Sequence, residues 1–147
     1  MTVEQISVFV ENAPGRLLEI TEILGNAGID LRALSIGDTA EFGVLRLIAD
    51  DPRRAGDALR EAGHMVTITP LLAVALEDAP GSLAKILRVL ANEEISVEYL
   101  YAFAARKKGS AYVVLQFDEN VRDLAAAALQ AGGVRMASAK EIDDALR

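Results

Sequence analysis

The sequence predicts an α+β fold built from two tandem β-α-β-β-α-β units with antiparallel sheets, and three observations carry that prediction. Val8-Phe9-Val10-Glu11-Asn12-Ala13-Pro14-Gly15-Arg16-Leu17 returns, nearly copied, as Val74-Ala75-Leu76-Glu77-Asp78-Ala79-Pro80-Gly81-Ser82-Leu83. Before the first Pro-Gly, Ile6, Val8 and Val10 alternate with Ser7 and Phe9, the period of a half-buried strand. After each Pro-Gly the apolar spacing turns helical: Leu17, Ile20, Thr21 and Leu24 in one copy, Leu83, Ile86, Leu87 and Leu90 in the other. The repeat divides the 147 residues into 1–70 and 71–147, with Pro70 as the visible boundary and almost no linker. Each half is near the lower size limit for an autonomous core, so the two are expected to join into one body.

In chain order, the first strand covers residues 4–11. A helix from about Pro14 stops near Ala27-Gly28, where glycine supplies a left-handed end. Extended structure from Ile29 to Ile36 leads to a turn at Gly37-Asp38 and a second hairpin strand, Phe42 to Ala49. Asp50-Asp51-Pro52 opens a helix with Ala55, Ala58, Leu59 and Ala62 on its apolar side, and Met65 to Thr69 closes the unit. The second unit repeats this order: strand Leu71 to Glu77, helix Pro80 to Glu93, strands Ile95 to Ala105 and Ala111 to Phe117. Asp118-Glu119-Asn120 then caps a helix carrying Val121, Leu124, Ala125 and Ala128, Val134 to Ala137 closes the unit, and a short helical tail runs from Ser138 to Leu146. Such a unit packs both helices on one face of a four-stranded sheet, the split β-α-β or ferredoxin-like arrangement.

The duplicated elbow, Asn12 to Leu17 and Asp78 to Leu83, is the candidate binding element. Proline is tolerated in a first helical turn, and it pushes the preceding Ala13 or Ala79 to an extended conformation. Asn12 or Asp78 can cap a first-turn amide, and Gly15 or Gly81 leaves the backbone open to close approach. A helix start with spare N–H groups and partial positive charge suits a carboxylate. The same features also describe a well-capped structural turn.

Composition narrows the function classes. Net charge is −7 with no cysteine, so nucleic acid and anionic membranes are disfavoured partners, and disulfides and thiolate zinc sites are excluded. Arg106-Lys107-Lys108 is a short basic run suited to a solvated hairpin tip. No apolar run approaches the ~20 residues of a membrane span, and the amino-terminal residues lack a secretory signal, which predicts a cytoplasmic protein. The single histidine, His64, follows Gly63 and reads as a surface or turn residue, so no catalytic residues, metal or cofactor are assigned. If Leu45 and Leu47 face the helices, Val44 and Ile48 face away, as do Val114 and the aromatic stripe Tyr99, Tyr101 and Phe103. An apolar open face predicts an interface at these six positions, with a homodimer as the expected assembly.

The elbows Asn12-Ala13-Pro14-Gly15-Arg16-Leu17 and Asp78-Ala79-Pro80-Gly81-Ser82-Leu83, set inside β-α-β-β-α-β units of this length, resemble the ACT domain. The stretches Ala40-Glu41-Phe42-Gly43-Val44-Leu45-Arg46 and Val97-Glu98-Tyr99-Leu100-Tyr101 are similar to stand-alone tandem ACT proteins. The resemblance implies a regulatory module, often dimeric, that binds a free amino acid at the strand–helix elbows and domain interfaces, without an attached enzyme. Asn12 departs from the usual aspartate in the first copy. On this reading Arg16 and the elbow amides hold the ligand carboxylate, while Asn12, Asp78 or Ser82 orients its ammonium, and the first elbow is expected to bind more tightly. The alternative is a ligand-independent interaction module that docks on an enzyme through its apolar sheet face.

Overall fold

A computed structural model describes residues 2–38 and 41–147. The chain divides into two compact units, Glu4–Thr69 and Pro70–Arg147, the second including the few residues before Glu4.

The first unit runs β1 (Val3–Glu11), α1 (Arg16–Asn26), β2 (Leu31–Asp38), β3 (Phe42–Ala49), α2 (Pro52–Glu61) and the leading residues of β4 (Val66–Glu77). Its strands lie in the order β2-β3-β1-β4. The antiparallel register sets Ile6 opposite Leu47 and Val8 opposite Leu45, so the period-two alternation delivers Ile6, Val8, Val10, Leu45 and Leu47 to one face. Ile20 and Leu24 of α1 and Ala55 and Leu59 of α2 complete that core, as the helical spacing predicts. Asp51 accepts the Arg54 N–H at 3.1 Å and Pro52 occupies the first turn, so α2 starts where the sequence places it.

The second unit takes the remainder of β4 and adds α3 (Ser82–Asn92), β5 (Tyr99–Ala104), β6 (Ser110–Gln116), α4 (Arg122–Ala131), β7 (Arg135–Met136) and α5 (Ala139–Leu146). The strand order is β7-β4-β6-β5. Its core gathers Leu72, Val74, Ile86, Leu90, Val113, Leu115, Phe117, Ala125 and Leu129.

Several boundaries differ from the sequence expectation. Pro70 does not separate two strands; it lies inside β4, where its fixed φ suits extended backbone and its cost is one ladder donor. Gly37 and Asp38 are not the hairpin turn but the paired end of β2, opposite Val44 and Gly43. Thr39 and Ala40, which follow, lie outside the described residues. Asp118 caps a turn, accepting the Asn120 N–H at 2.9 Å, and α4 begins after it at Arg122 without a side-chain cap.

Of the six positions expected at an interface, Ile48 is 3% and Val114 0% exposed within the single chain. Val44, Tyr99, Tyr101 and Phe103 are half-buried. Burial of the first two removes the need for a second copy to cover them. The exposed large apolar side chains are instead Phe9, Leu17, Leu18, Leu34, Ile36, Phe42 and Met65 of the first unit, with Leu124 in the second. No helix among the described residues is long and apolar enough to cross a membrane. Among the same residues no three His, Asp or Glu side chains cluster as metal ligands.

Candidate functional site

Both elbows share one backbone. In the first, the Arg16 N–H donates to Ala13 O at 3.3 Å across Pro14-Gly15, with Gly15 at φ 83°, ψ −7°. In the second, the Ser82 N–H donates to Ala79 O at 3.2 Å across Pro80-Gly81, with Gly81 at φ 86°, ψ −8°. Pro followed by a left-handed glycine under an i to i+3 bond is a type II turn. Each Pro-Gly thus forms a separate turn ahead of the helix, which starts two residues later than the sequence suggests. The glycine is also the helix N-cap, a place where no side chain is available to cap the first turn. The backbone N–H groups of Asn12 and Asp78 anchor the elbows to the neighbouring hairpins, Asn12 to Glu41 O at 3.0 Å and Asp78 to Gly109 O at 2.9 Å.

Beside each elbow lies a cavity, and the two occupy matching places. The first, of 310 Å³, is lined by Phe9, Val10, Glu11, Arg16, Glu19, Ile20, Phe42, Gly63, His64 and Met65. The second, of 600 Å³, is lined by Ala75, Leu76, Glu77, Ser82, Lys85, Ile86, Val89, residues 109–112 and residues 132–135. Repeat and register pair Phe9 with Ala75, Arg16 with Ser82, Glu19 with Lys85 and Phe42 with Ser110. Smaller side chains at three of these four positions account for the larger volume. Gly132 contributes too: a Cβ there would stand 2.8 Å from both Val89 methyls, so α3 and α4 approach closely at the cavity floor.

Arg16 is engaged. Its Nε lies 3.4 Å from Glu11 Oε2 and its Nη1 3.5 Å from Glu19 Oε2, while Glu19 Oε1 is 3.3 Å from His64 Nε2. His64 sits at the helix C-terminal turn that the sequence predicts, its N–H donating to Leu59 O at 3.0 Å, but its side chain turns into the cavity wall. Asn12, Ala13 and Leu17 line a separate 150 Å³ cleft with Ile36 and Gly43. Pro14, Gly15, Asp78, Ala79, Pro80, Gly81 and Leu83 line none of these cavities, and Leu83 packs against the core of its unit.

The second cavity gathers cations that sequence reasoning missed. Lys85 lies one turn beyond Ser82 on α3, and Arg135 is brought in by β7, opposite Ala75. Arg135 Nη1 bonds Glu141 Oε1 at 2.6 Å, and that contact holds the guanidinium charged above its usual range. Burial, and then the neighbouring Glu141 carboxylate, hold the Tyr112 phenol above its usual value. With Glu77, Lys85, Arg135 and the hydroxyls of Ser82, Ser110 and Tyr112 on its walls, the cavity offers partners for both ends of a zwitterion.

Comparison with known proteins fits this geometry. Protein BT0572 from Bacteroides thetaiotaomicron is 37% identical, with 97% of this chain and 96% of that one covered at a TM-score of 0.88. The ligand-free regulatory subunit of aspartate kinase from Thermus thermophilus shares the fold at 18% identity and TM-score 0.62, covering 88% of this chain and 91% of that one. The regulatory subunit of aspartate kinase from Thermus flavus does so at 17% identity and TM-score 0.60, covering 88% and 92%. Comparison with curated proteins gives no match. The ACT domain pair family matches residues 1–130, and the chain belongs to that family.

Proposed function

We propose that the chain is a non-catalytic sensor that binds a free amino acid beside its elbows and regulates amino-acid metabolism, with residues 1–70 and 71–147 as its two ACT domains. The observation that carries this reading is the 600 Å³ cavity of the second unit, whose walls present a carboxylate, two cations and three hydroxyls around an apolar floor. The regulatory subunits of aspartate kinase that share its fold support the regulatory half of the reading. The second elbow is the stronger site, contrary to the expectation built on Arg16, because its cavity has about twice the volume and gathers two cations, Lys85 and Arg135, where the first has Arg16 beside Glu11 and Glu19.

A second reading is favoured by the apolar surface of the first unit. Phe9, Leu18, Leu34, Ile36, Phe42 and Met65 are each about half exposed or more. The register puts Phe9 and Phe42 on one sheet face and Leu34 and Ile36 on the other, and exposed apolar side chains on either mark an interface, so on this reading the unit serves as a docking module with a second copy of the chain as its partner.

A thermal-stability screen against the twenty amino acids separates the readings. At one hundred times its dissociation constant a ligand adds roughly 2.7 kcal/mol, a melting shift of several degrees. Lys85→Ala should reduce that shift and Arg16→Ala should leave most of it. If no amino acid raises the melting temperature, the docking reading stands alone. Light scattering then tests for twice 15.7 kDa.

A further inference from the structure

The second unit carries one element with no counterpart in the first, the C-terminal helix α5, which also lies beyond the residues matched by the family. It is firmly built. The Ser138 hydroxyl accepts the Glu141 N–H at 3.1 Å, Ile142 is 1% exposed, and Ala145 O accepts the Arg106 N–H at 3.2 Å.

Arg135 borders two spaces at once. It lines the 600 Å³ elbow cavity with Ser82 and Lys85, and it also lines the groove against α5 with Ser138 and Glu141. Its Nη1 is bonded to Glu141 Oε1, and the Tyr112 hydroxyl stands beside both the guanidinium and the carboxylate. The side chains of Arg135 and Glu141 are 64% and 32% exposed, so water screens the pair. Such a contact can be exchanged for a better one. A guanidinium offers a two-pronged donor face to a single carboxylate, and a ligand carboxylate in the cavity would meet Lys85 as well.

We propose that Arg135 is the carboxylate-gripping residue of the second cavity and that Glu141 is its built-in stand-in, so that a small-molecule carboxylate and the docked tail helix compete for one guanidinium. This deepens, and rests on, the reading of that cavity as an amino-acid site. Because coupling between two binding events is reciprocal, the factor by which the tail weakens ligand binding is the factor by which ligand loosens the tail. Occupancy of the cavity is thereby reported on the protein surface as the release of residues 138–147.

Two measurements on the full chain test this. Without ligand, hydrogen exchange of the 138–147 amides should rise in Arg135→Gln and in Glu141→Gln, and the double variant should exchange no faster than the faster single one. Glu119→Gln, which lines neither cavity, should leave the exchange of the 138–147 amides unchanged and serves as the control. In the thermal screen, an amino acid that stabilises the wild type should bind at least fivefold more tightly to Glu141→Gln and tenfold more weakly to Arg135→Gln, and it should raise tail exchange in the wild type. If an amino acid binds but neither variant changes its affinity, the competition is overturned while the elbow reading survives. If no amino acid stabilises either the wild type or Glu141→Gln, both fall. If tail exchange without ligand is indifferent to both substitutions, Glu141 is no latch and the proposal falls regardless of the ligand.

Discussion

The two elbows are the same object in backbone and different objects in chemistry. Both have the Pro-Gly turn, a glycine near φ 85°, the same bond back to residue Ala13 or Ala79, and the same anchor to the adjoining hairpin. Around them the first unit places Phe9, Arg16, Phe42 and Met65, and the second places Ala75, Ser82, Ser110 and Arg135. The aromatic bulk is moved rather than lost. Phe9 faces Val44 across the first sheet, whereas Ala75 faces Tyr112 across the second, so the ring leaves the cavity-side strand for its neighbour. The turn therefore fixes where a site can be, and the residues around the Pro-Gly pair decide whether there is room for anything in it.

The largest expected effect comes from exchanging those residues. Ala75→Phe with Ser82→Arg gives the second cavity the bulk of the first, and should abolish the roughly 2.7 kcal/mol that saturating ligand contributes. Phe9→Ala with Arg16→Ser should leave that stabilisation in place, because the proposal puts the main site in the other cavity. Calorimetric titration of the two double variants decides the matter. Retained binding in the first and lost binding in the second would reverse the assignment of the elbows.

A smaller effect tests the half of the comparison that concerns backbone. A Cβ on Gly15 or Gly81 meets nothing within 4 Å, so crowding plays no part, and the cost of alanine is that of the left-handed conformation alone. Gly15→Ala and Gly81→Ala should each destabilise by about 1–2 kcal/mol, and by nearly equal amounts. Unequal losses in a denaturant melt would mean that one elbow relaxes and the backbones are less alike than their dihedral angles. The same strain makes a bulky substitution at either glycine a poor probe of ligand access.

What the sequence made legible follows from how local each signal is. Ile6, Val8 and Val10 in a strand, and Ile20 and Leu24 in a helix, announce their element by spacing alone, because burial on one face imposes the period. The site was legible only as a place. Pro-Gly reads equally as a helix start and as the two central residues of a type II turn, since both uses suit proline's fixed φ. Lys85 looks like any solvated helix lysine, and Arg135 like the first residue of a short strand; their meeting in one cavity depends on β7 pairing with β4. The open-face residues Ile48 and Val114 were read as needing a partner chain because their surroundings are non-local, and both are buried within the single chain.

The smallest expected effect lies where the two units end their first helix. Gly28 closes α1 at φ 71°, and its N–H and that of Ile29 donate to Gly25 O and Leu24 O, each at 3.0 Å. Glu94 closes α3 with the same pair of bonds, to Ala91 O and from Ile95 to Leu90 O, also at 3.0 Å, but at φ 56° with a full side chain. This is the motif that glycine normally serves, and Glu94 is the positive-φ residue other than glycine among those described. A left-handed L-residue costs about 1–2 kcal/mol, partly offset by the extra chain entropy glycine loses on folding. Glu94→Gly should therefore stabilise the protein by about 0.5–1 kcal/mol, a rise of about 2 °C at this length. Gly28→Glu should lose a similar amount, and the pair measured together makes the second unit's helix end match the first or the first match the second. Should Glu94→Gly prove neutral or harmful in a thermal melt, the Glu94 carboxylate must be making up the strain through the surrounding residues, and the two helix ends would be alike in hydrogen bonds but not in energy.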